Sequence, residues 1–183
     1  MAHRRLTGVL LVGGASRRFG SPKALARIGD ETLADRAWRI LGEACDERIA
    51  VGKAGELELP FPLVDDASDV RAPIAGVVAG LRAASNHVTV VLPVDCVHVT
   101  AKLLVDLGSA CRHAAVTQAG PLPGAWAKSA LPVLERRLHG DDLSLRGAYE
   151  ALDVVELRVD ESLLADADTP AELARLLASF TGP

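Results

Sequence analysis

Seven uncharged and largely apolar residues, Leu6 to Val12, run directly into the glycine pair Gly13-Gly14. A run this short cannot cross a bilayer as a helix, and it lacks the polar alternation of a strand with one wet face. It therefore predicts a buried strand of a parallel sheet that opens onto a turn. The next segments suit such a sheet. Thr32 to Ala44 carries Leu33, Ala37, Ile40 and Leu41 at helical spacing behind Thr32 as N-cap, and Arg48 to Val51 reads as the next strand. Phe61 to Val64 is a third strand, Ile74 to Ala84 a glycine-bearing helix, Val88 to Pro93 an apolar strand ending near Asp95, and Ala101 to Ala110 a helix. The later chain is less regular. Ala114 to Thr117 and Gly124 to Ala127 predict short strands, Ala130 to Leu138 and Leu145 to Leu152 helices, and Val154 to Val159 a last strand. Thr169-Pro170 then opens a final helix, with proline at the first helical position. The alternation predicts an α/β fold, a three-layer αβα sandwich on a mainly parallel Rossmann-like sheet, with ligands at the carboxyl ends of the strands.

Composition removes several classes of function. With 49% apolar and 24% charged residues the 183-residue chain is suited to one globular domain spanning 1–183. Its net charge of −4 and its scarcity of aromatics argue against nucleic acid as a partner, so an anionic ligand must be met by a local cluster of donors. Cys45, Cys96 and Cys111 fit neither a disulfide framework nor a zinc signature, and Cys96 with His98 lacks a second ligand pair. No membrane span or cleaved leader is visible, which predicts a cytoplasmic protein.

The local cluster comes directly after the first strand. Gly13-Gly14-Ala15-Ser16-Arg17-Arg18-Phe19-Gly20-Ser21-Pro22-Lys23 combines glycines, whose backbone can approach an oxygen closely, with Arg18 and Lys23, which can neutralise phosphate charge. It is neither a Walker loop, where Lys directly follows the second glycine, nor the dinucleotide G-x-G-x-x-G. Read alone it suits a triphosphate, or an ordinary turn with solvated cations. Asp95 stands just past an apolar strand, where a hard cation bridging phosphate oxygens needs a carboxylate, although it is also placed to cap the helix starting near Thr100.

The stretch from Leu11 to Leu25 resembles the signature of nucleotidyltransferases acting on sugars and pterins, and most of all that of the molybdenum cofactor guanylyltransferases. The resemblance implies the sheet of the nucleotide-diphospho-sugar transferases, with residues 1–100 as nucleotide-binding half and 101–183 as acceptor-binding half. It further implies backbone contacts to the nucleotide from Leu11, Val12 and Gly13, a turn shaped by Gly14, phosphates held by Arg18 and Lys23, and a magnesium ion on Asp95. Asp65-Asp66 ahead of Arg71-Ala72-Pro73-Ile74-Ala75-Gly76 is similar to the family's proline-hydrophobic-Ala-Gly helix start, and Asp66 matches its nucleotide-contacting acid. Gly76 and Gly80 serve equally well for close helix–sheet packing. Asp166-Ala167-Asp168-Thr169-Pro170 resembles the terminal Asn/Asp motif, placing Asp168 near metal or acceptor, although the same residues make a plain helix start. Pro121-Leu122-Pro123-Gly124 and Leu143-Ser144-Leu145-Arg146 resemble the acceptor half, and also read as a proline-rich turn and a Ser-capped helix.

Five positions depart from the family pattern. Pro22 precedes Lys23 where the guanylyltransferases carry Asp, Gly52 replaces an Asn after the second strand, Val97 replaces a Pro after the metal-binding Asp, and Asp166 and Asp168 replace an Asn pair. The implied reaction is transfer of GMP from GTP to the terminal phosphate of molybdopterin, releasing pyrophosphate, with molybdoenzymes or their chaperones as transient partners. The Pro-Lys pair keeps a cytidylyltransferase, or another nucleotidyltransferase on a small phosphorylated acceptor, as an alternative. Gly52 and the Asp pair likewise loosen the choice of guanine, and the departures at Pro22 and Val97 keep a non-catalytic nucleotide-binding module as a further alternative.

Overall fold

The computed structural model describes residues 4–13, 22–53, 55, 57–167 and 169–178. Chain order begins with β1 (Leu6–Leu11), the two-residue strands β2 (Arg27–Ile28) and β3 (Glu31–Thr32), α1 (Leu33–Ala44), β4 (Glu47–Gly52), β5 (Leu63–Asp65), α2 (Pro73–Ala83) and β6 (Val88–Pro93). It continues with α3 (Ala101–Ala110), β7 (Ala114–Thr117), β8 (Gly120–Ala127), α4 (Leu131–Leu138), β9 (Val154–Leu157) and α5 (Pro170–Ala178). Seven strands form one sheet in the order β5-β4-β1-β6-β8-β7-β9, while β2 and β3 pair in a separate small hairpin. Pairings β4–β5, β1–β4, β1–β6 and β7–β9 are parallel, and only β8 runs against its neighbours. The sheet is thus mainly parallel and mixed, as the alternation of elements predicts.

Side-chain alternation in the inner strands explains the three layers. Leu6 and Leu10 of β1 and Val88, Val90 and Leu92 of β6 join α1 and α3 in one apolar cluster, whereas Val9 and Val91 join α2 and α4 in the other. Both faces being dry, these strands are apolar along nearly their whole length, with Thr7 and Thr89 the buried polar exceptions. The helices are cut to fit. Thr32 caps α1 by accepting from Asp35 N while the Asp35 carboxylate accepts from Thr32 N, a reciprocal box closing two orphan donors. In α2 every residue from Ile74 to Leu81 is buried, and Gly76 and Gly80 are where the helix touches the sheet. A Cβ at Gly80 would stand 2.8 Å from Val9 Cγ2 and 2.9 Å from Cγ1, and one at Gly76 2.7 Å from Leu11 Cδ2. These glycines set helix–sheet spacing.

Several expected boundaries shift. Pro121 to Gly124 is not a turn but the first half of β8, which pairs with β7 through Thr117 and Gly120. Proline is tolerated there because this end of β8 bends away from β6, whose pairing reaches only as far as Gly124. Leu145 to Leu152 is a 3-10 segment over Arg146–Ala151 rather than an α-helix. The β2–β3 hairpin has no counterpart in the expected elements, since two-residue strands leave no periodicity to read. Among the described residues, no helix is long and apolar enough to cross a membrane.

Candidate functional site

The chain order within the sheet decides where a crevice opens. From β1 the chain moves outward through β4 to β5, then returns to lay β6 on the other side of β1, so strand order reverses between β1 and β6. Connections leave on opposite faces at such a reversal, through α1 on one side and α2 on the other, and the carboxyl edge is left uncovered. The register brings Leu11, Val51 and Pro93 level at that edge. Backbone hydrogen bonds continue past the strands: Val12 N donates to Val51 O at 3.0 Å, Val94 N to Leu11 O at 3.1 Å and Asp66 N to Gly52 O at 3.1 Å. Four strand tips are thereby stitched into one rigid floor.

A cleft of about 350 Å³ lies on this floor. Its walls come from Leu11 to Gly13 at the end of β1, Val51 to Lys53 at the end of β4, Asp66 after β5, Val70 to Pro73 and Gly76 at the start of α2, and Pro93 to Asp95 at the end of β6. Gly52 explains one departure from the family pattern, since a Cβ there would sit 2.9 Å from Val12 Cγ2. A larger residue at position 52 would require the Val12 side chain to shift.

Lys23 and Asp95, 72 positions apart, meet inside the cleft, with Lys23 Nζ donating to Asp95 Oδ2 at 3.1 Å. Lys23 is fixed by a short 3-10 turn, Lys23–Leu25, in which Leu25 N donates to Pro22 O and Ala26 N to Lys23 O while Ala24 is buried in the core. Pro22 thus opens this turn, a place where its missing N–H costs nothing. Asp95 is anchored through its backbone, its carbonyl accepting from Val97 N at 3.0 Å and Ala167 N at 3.3 Å. It does not cap the following helix; Thr100 does, its hydroxyl accepting from Leu103 N. The Asp95 carboxylate is therefore available to the cleft, with side-chain exposures of 14% for Lys23 and 26% for Asp95.

A second ion pair occupies the β4–β5 side. Lys53 Nζ lies 2.5 Å from Asp66 Oδ1 and also donates to the Ser68 carbonyl, and Asp66 Oδ1 accepts from Ser68 N. Asp66 therefore both shapes its turn and lines the cleft. Asp65 points elsewhere, accepting from Ala67 N, where φ is +50°. Lys53 is not among the residues that the sequence motifs single out, although a cation one residue past a parallel strand, at the ligand edge, is the signal that marks it.

The other candidates divide. Arg18, Gly14 and Asp168 lie outside the described residues. Thr169 caps α5, its hydroxyl accepting from Glu172 N at 3.1 Å. The Ala167 bond to Asp95 nevertheless carries the acidic C-terminal segment to the metal candidate, and Asp166 lies close enough to act on Cys96. The Cys96 thiol is pushed far above the usual thiol range by burial, with the Asp95 and Asp166 charges adding to it. It stays a protonated filler, and His98 is buried with Nδ1 2.9 Å from Ser162 O. Arg146 is not on the wall of the cleft. Beside the cleft, sharing Pro73 and Leu122, a groove of about 300 Å³ is lined by Ala119 to Leu122 and Leu143 to Leu145, the two segments resembling the acceptor half.

The donor set can be tested against a metal. Among the described residues no three His, Cys, Asp or Glu side chains gather into a cage. Asp95 holds one oxygen toward Lys23, and Oδ1 takes no hydrogen bond among the described residues. That suits a hard cation such as Mg2+, which keeps its waters and takes one or two protein carboxylates plus phosphate oxygens.

Residues 8–155 match the family model described as the MobA-like NTP transferase domain. A probable molybdenum cofactor guanylyltransferase of Opitutus terrae is 36% identical over 80% of this chain and 79% of its own. A molybdenum cofactor guanylyltransferase of Burkholderia ambifaria is 30% identical over 93% of this chain and 95% of its own. Among solved structures, molybdopterin-guanine dinucleotide biosynthesis protein A from Archaeoglobus fulgidus superposes with a TM-score of 0.81 at 22% identity, covering 96% of this chain and 98% of that one. A Mycobacterium tuberculosis protein solved in complex with manganese superposes with a TM-score of 0.66 at 25% identity, covering 96% and 99%.

Proposed function

From the premise that the chain belongs to the MobA-like NTP transferase family, we propose that it is a molybdenum cofactor guanylyltransferase, moving GMP from GTP onto the terminal phosphate of molybdopterin. The observation that carries this reading is the meeting of Lys23 with Asp95 at 3.1 Å, on the carboxyl edge beside the strand-order reversal. A molybdopterin phosphate oxygen attacks the α-phosphorus of GTP, a new P–O bond forms, the bond to the bridging oxygen breaks, and pyrophosphate leaves.

Both reactants are anions, so the barrier is chiefly electrostatic and orientational. Leu11 to Gly13 lay backbone along the nucleotide, Lys23 offsets the charge that develops on the departing pyrophosphate, and Asp66 receives the nucleoside end. Bound at Asp95, Mg2+ supplies polarisation of the phosphate oxygens. Asp95 would hold that cation, and Lys23, now paired with Asp95, would turn to the triphosphate. No nucleophilic side chain is needed, and the three thiols are unsuited to that role: burial raises Cys45 to about 12 and Cys111 to about 11, and Cys96 higher still. Residues 1–100 act as the nucleotide half and 101–183 as the acceptor half, with the groove beside Leu122 receiving the pterin. A cytoplasmic setting agrees with three unpaired cysteines.

The test is incubation with Mg2+, molybdopterin and each nucleoside triphosphate in turn, followed by mass analysis. GTP is expected to yield the guanine dinucleotide with stoichiometric pyrophosphate. A cytosine adduct in its place would move the protein to the cytidylyltransferase branch, and binding without pyrophosphate release from any triphosphate would make it a non-catalytic module.

A further inference from the structure

The second ion pair does more than brace its loop. Lys53 directs two of its three ammonium hydrogens at Asp66 Oδ1 and the Ser68 carbonyl, and Asp66 takes both Lys53 and Ser68 N on the same oxygen. One N–H of Lys53 and the whole of Asp66 Oδ2 are left without a hydrogen bond among the described residues, side by side on the cleft wall. With side-chain exposures of 19% and 11%, both groups are largely withdrawn from water, so a ligand edge that matched them would replace little solvent and one that did not would leave a desolvated charge facing it.

Position in the sheet says which part of a nucleotide meets this pair. Asp95 follows β6 and Asp66 follows β5, three strand spacings away, which places the two tips about 14 Å apart. That is the reach from the phosphates of an extended nucleotide to the far edge of its own base. The cation on the β4 tip also stands beside Gly52, which contributes no side chain of its own, so Lys53 is the polar side chain that the β4 end presents to the cleft.

We propose that Lys53 and Asp66 together read the nucleobase, Lys53 donating to a carbonyl oxygen of the base while Asp66 Oδ2 accepts from the adjacent ring N–H. Lys53 is then a specificity-determining residue. Guanine offers that pattern through O6 and N1–H. Hypoxanthine offers the same two groups without the exocyclic amine. Adenine inverts both, placing an amino group before the ammonium and a bare ring nitrogen before the carboxylate. The ion pair holds the two groups in fixed order, so the base cannot be accommodated by exchanging them.

The inference rests on the guanylyltransferase reading for the placement of the triphosphate, and binding separates the two. Calorimetric titration of the whole chain with GTP, ITP, ATP and CTP, each with Mg2+, is expected to rank GTP and ITP together above ATP and CTP. Lys53→Met should weaken GTP and ITP by about 10- to 100-fold, the worth of one charged hydrogen bond, and leave ATP and CTP little changed. Should Lys53→Met fail to fold by circular dichroism, Lys53→Gln, which keeps a polar N–H donor without the charge, is read in its place and should lose less of the preference. Equal weakening of all four triphosphates would reduce Lys53 to a loop brace and overturn the inference, as would a parent protein that binds ATP or CTP as tightly as GTP. Turnover with molybdopterin is measured separately. A base preference that depends on Lys53 without any dinucleotide product would defeat the proposed reaction and leave this assignment standing.

Discussion

Replacing Lys23 with Ala separates catalysis from folding, because the structure assigns the two roles very different sizes. In the resting protein the Lys23–Asp95 pair is a single 3.1 Å contact in a cleft still reached by solvent, and Asp95 has 26% side-chain exposure even with Lys23 in place. Loss of such a partly wet pair costs about 1 kcal/mol of stability. The turn that carries Lys23 is held by its backbone and by buried Ala24, neither of which the substitution alters. Catalysis should suffer far more. An electrostatic donor aimed at developing charge is worth roughly 3–4 kcal/mol, so kcat should fall by about 100- to 1,000-fold. The assay is single-turnover pyrophosphate release with saturating GTP, Mg2+ and molybdopterin, alongside urea denaturation of the same preparation. A kcat within about tenfold of the parent in a folded Lys23→Ala protein would remove Lys23 from the reaction.

Four other outcomes can be expected from the geometry. Asp95→Ala should abolish the Mg2+ dependence of turnover along with its rate while leaving the denaturation midpoint near that of the parent, and a variant still accelerated by Mg2+ would place the metal elsewhere. Gly80→Ala should destabilise the fold by about 1–2 kcal/mol despite alanine's better helix propensity, because the added methyl meets β-branched Val9 at 2.8 Å; urea titration reads the sign. Burial raises the pKa of Glu47, but hydrogen bonds from Thr7 and from Ser85 outweigh it and hold the carboxyl below its ordinary 4.5. Its stabilising contribution is present above that unfolded value and is lost as pH falls through the lower folded one, so Glu47→Gln should flatten the acid limb of a stability–pH curve. All three thiols should resist iodoacetamide at pH 7.5 in the folded protein and react on unfolding, as followed by intact mass.

The sequence makes the inner sheet easy to read, since strands buried on both faces are apolar nearly throughout and Val88 to Pro93 is recovered to the residue. It also places Lys23 and Asp95 on the ligand edge, because strand-end position is legible once strands are known. Side-chain pairing across the crevice is not written there. Whether Asp95 or Thr100 caps α3 depends on which oxygen reaches Leu103 N, and both assignments suit the same letters. Lys53 is hidden for a similar reason: its partner Asp66 lies past the next strand, and no spacing rule links them. Pro121 to Gly124 reads as a turn because proline signals one except where a strand end leaves the ladder, which only the sheet reveals.

Anomalous diffraction from crystals soaked with Mn2+ and a non-hydrolysable GTP analogue tests most directly whether one cation and one polyphosphate join the two halves of the cleft. The account predicts a manganese peak in direct coordination with an Asp95 oxygen and with the analogue's phosphates, and Lys23 turned from the carboxylate onto those phosphates. Manganese away from Asp95, or a triphosphate lying outside the crevice between β1 and β6, would contradict it.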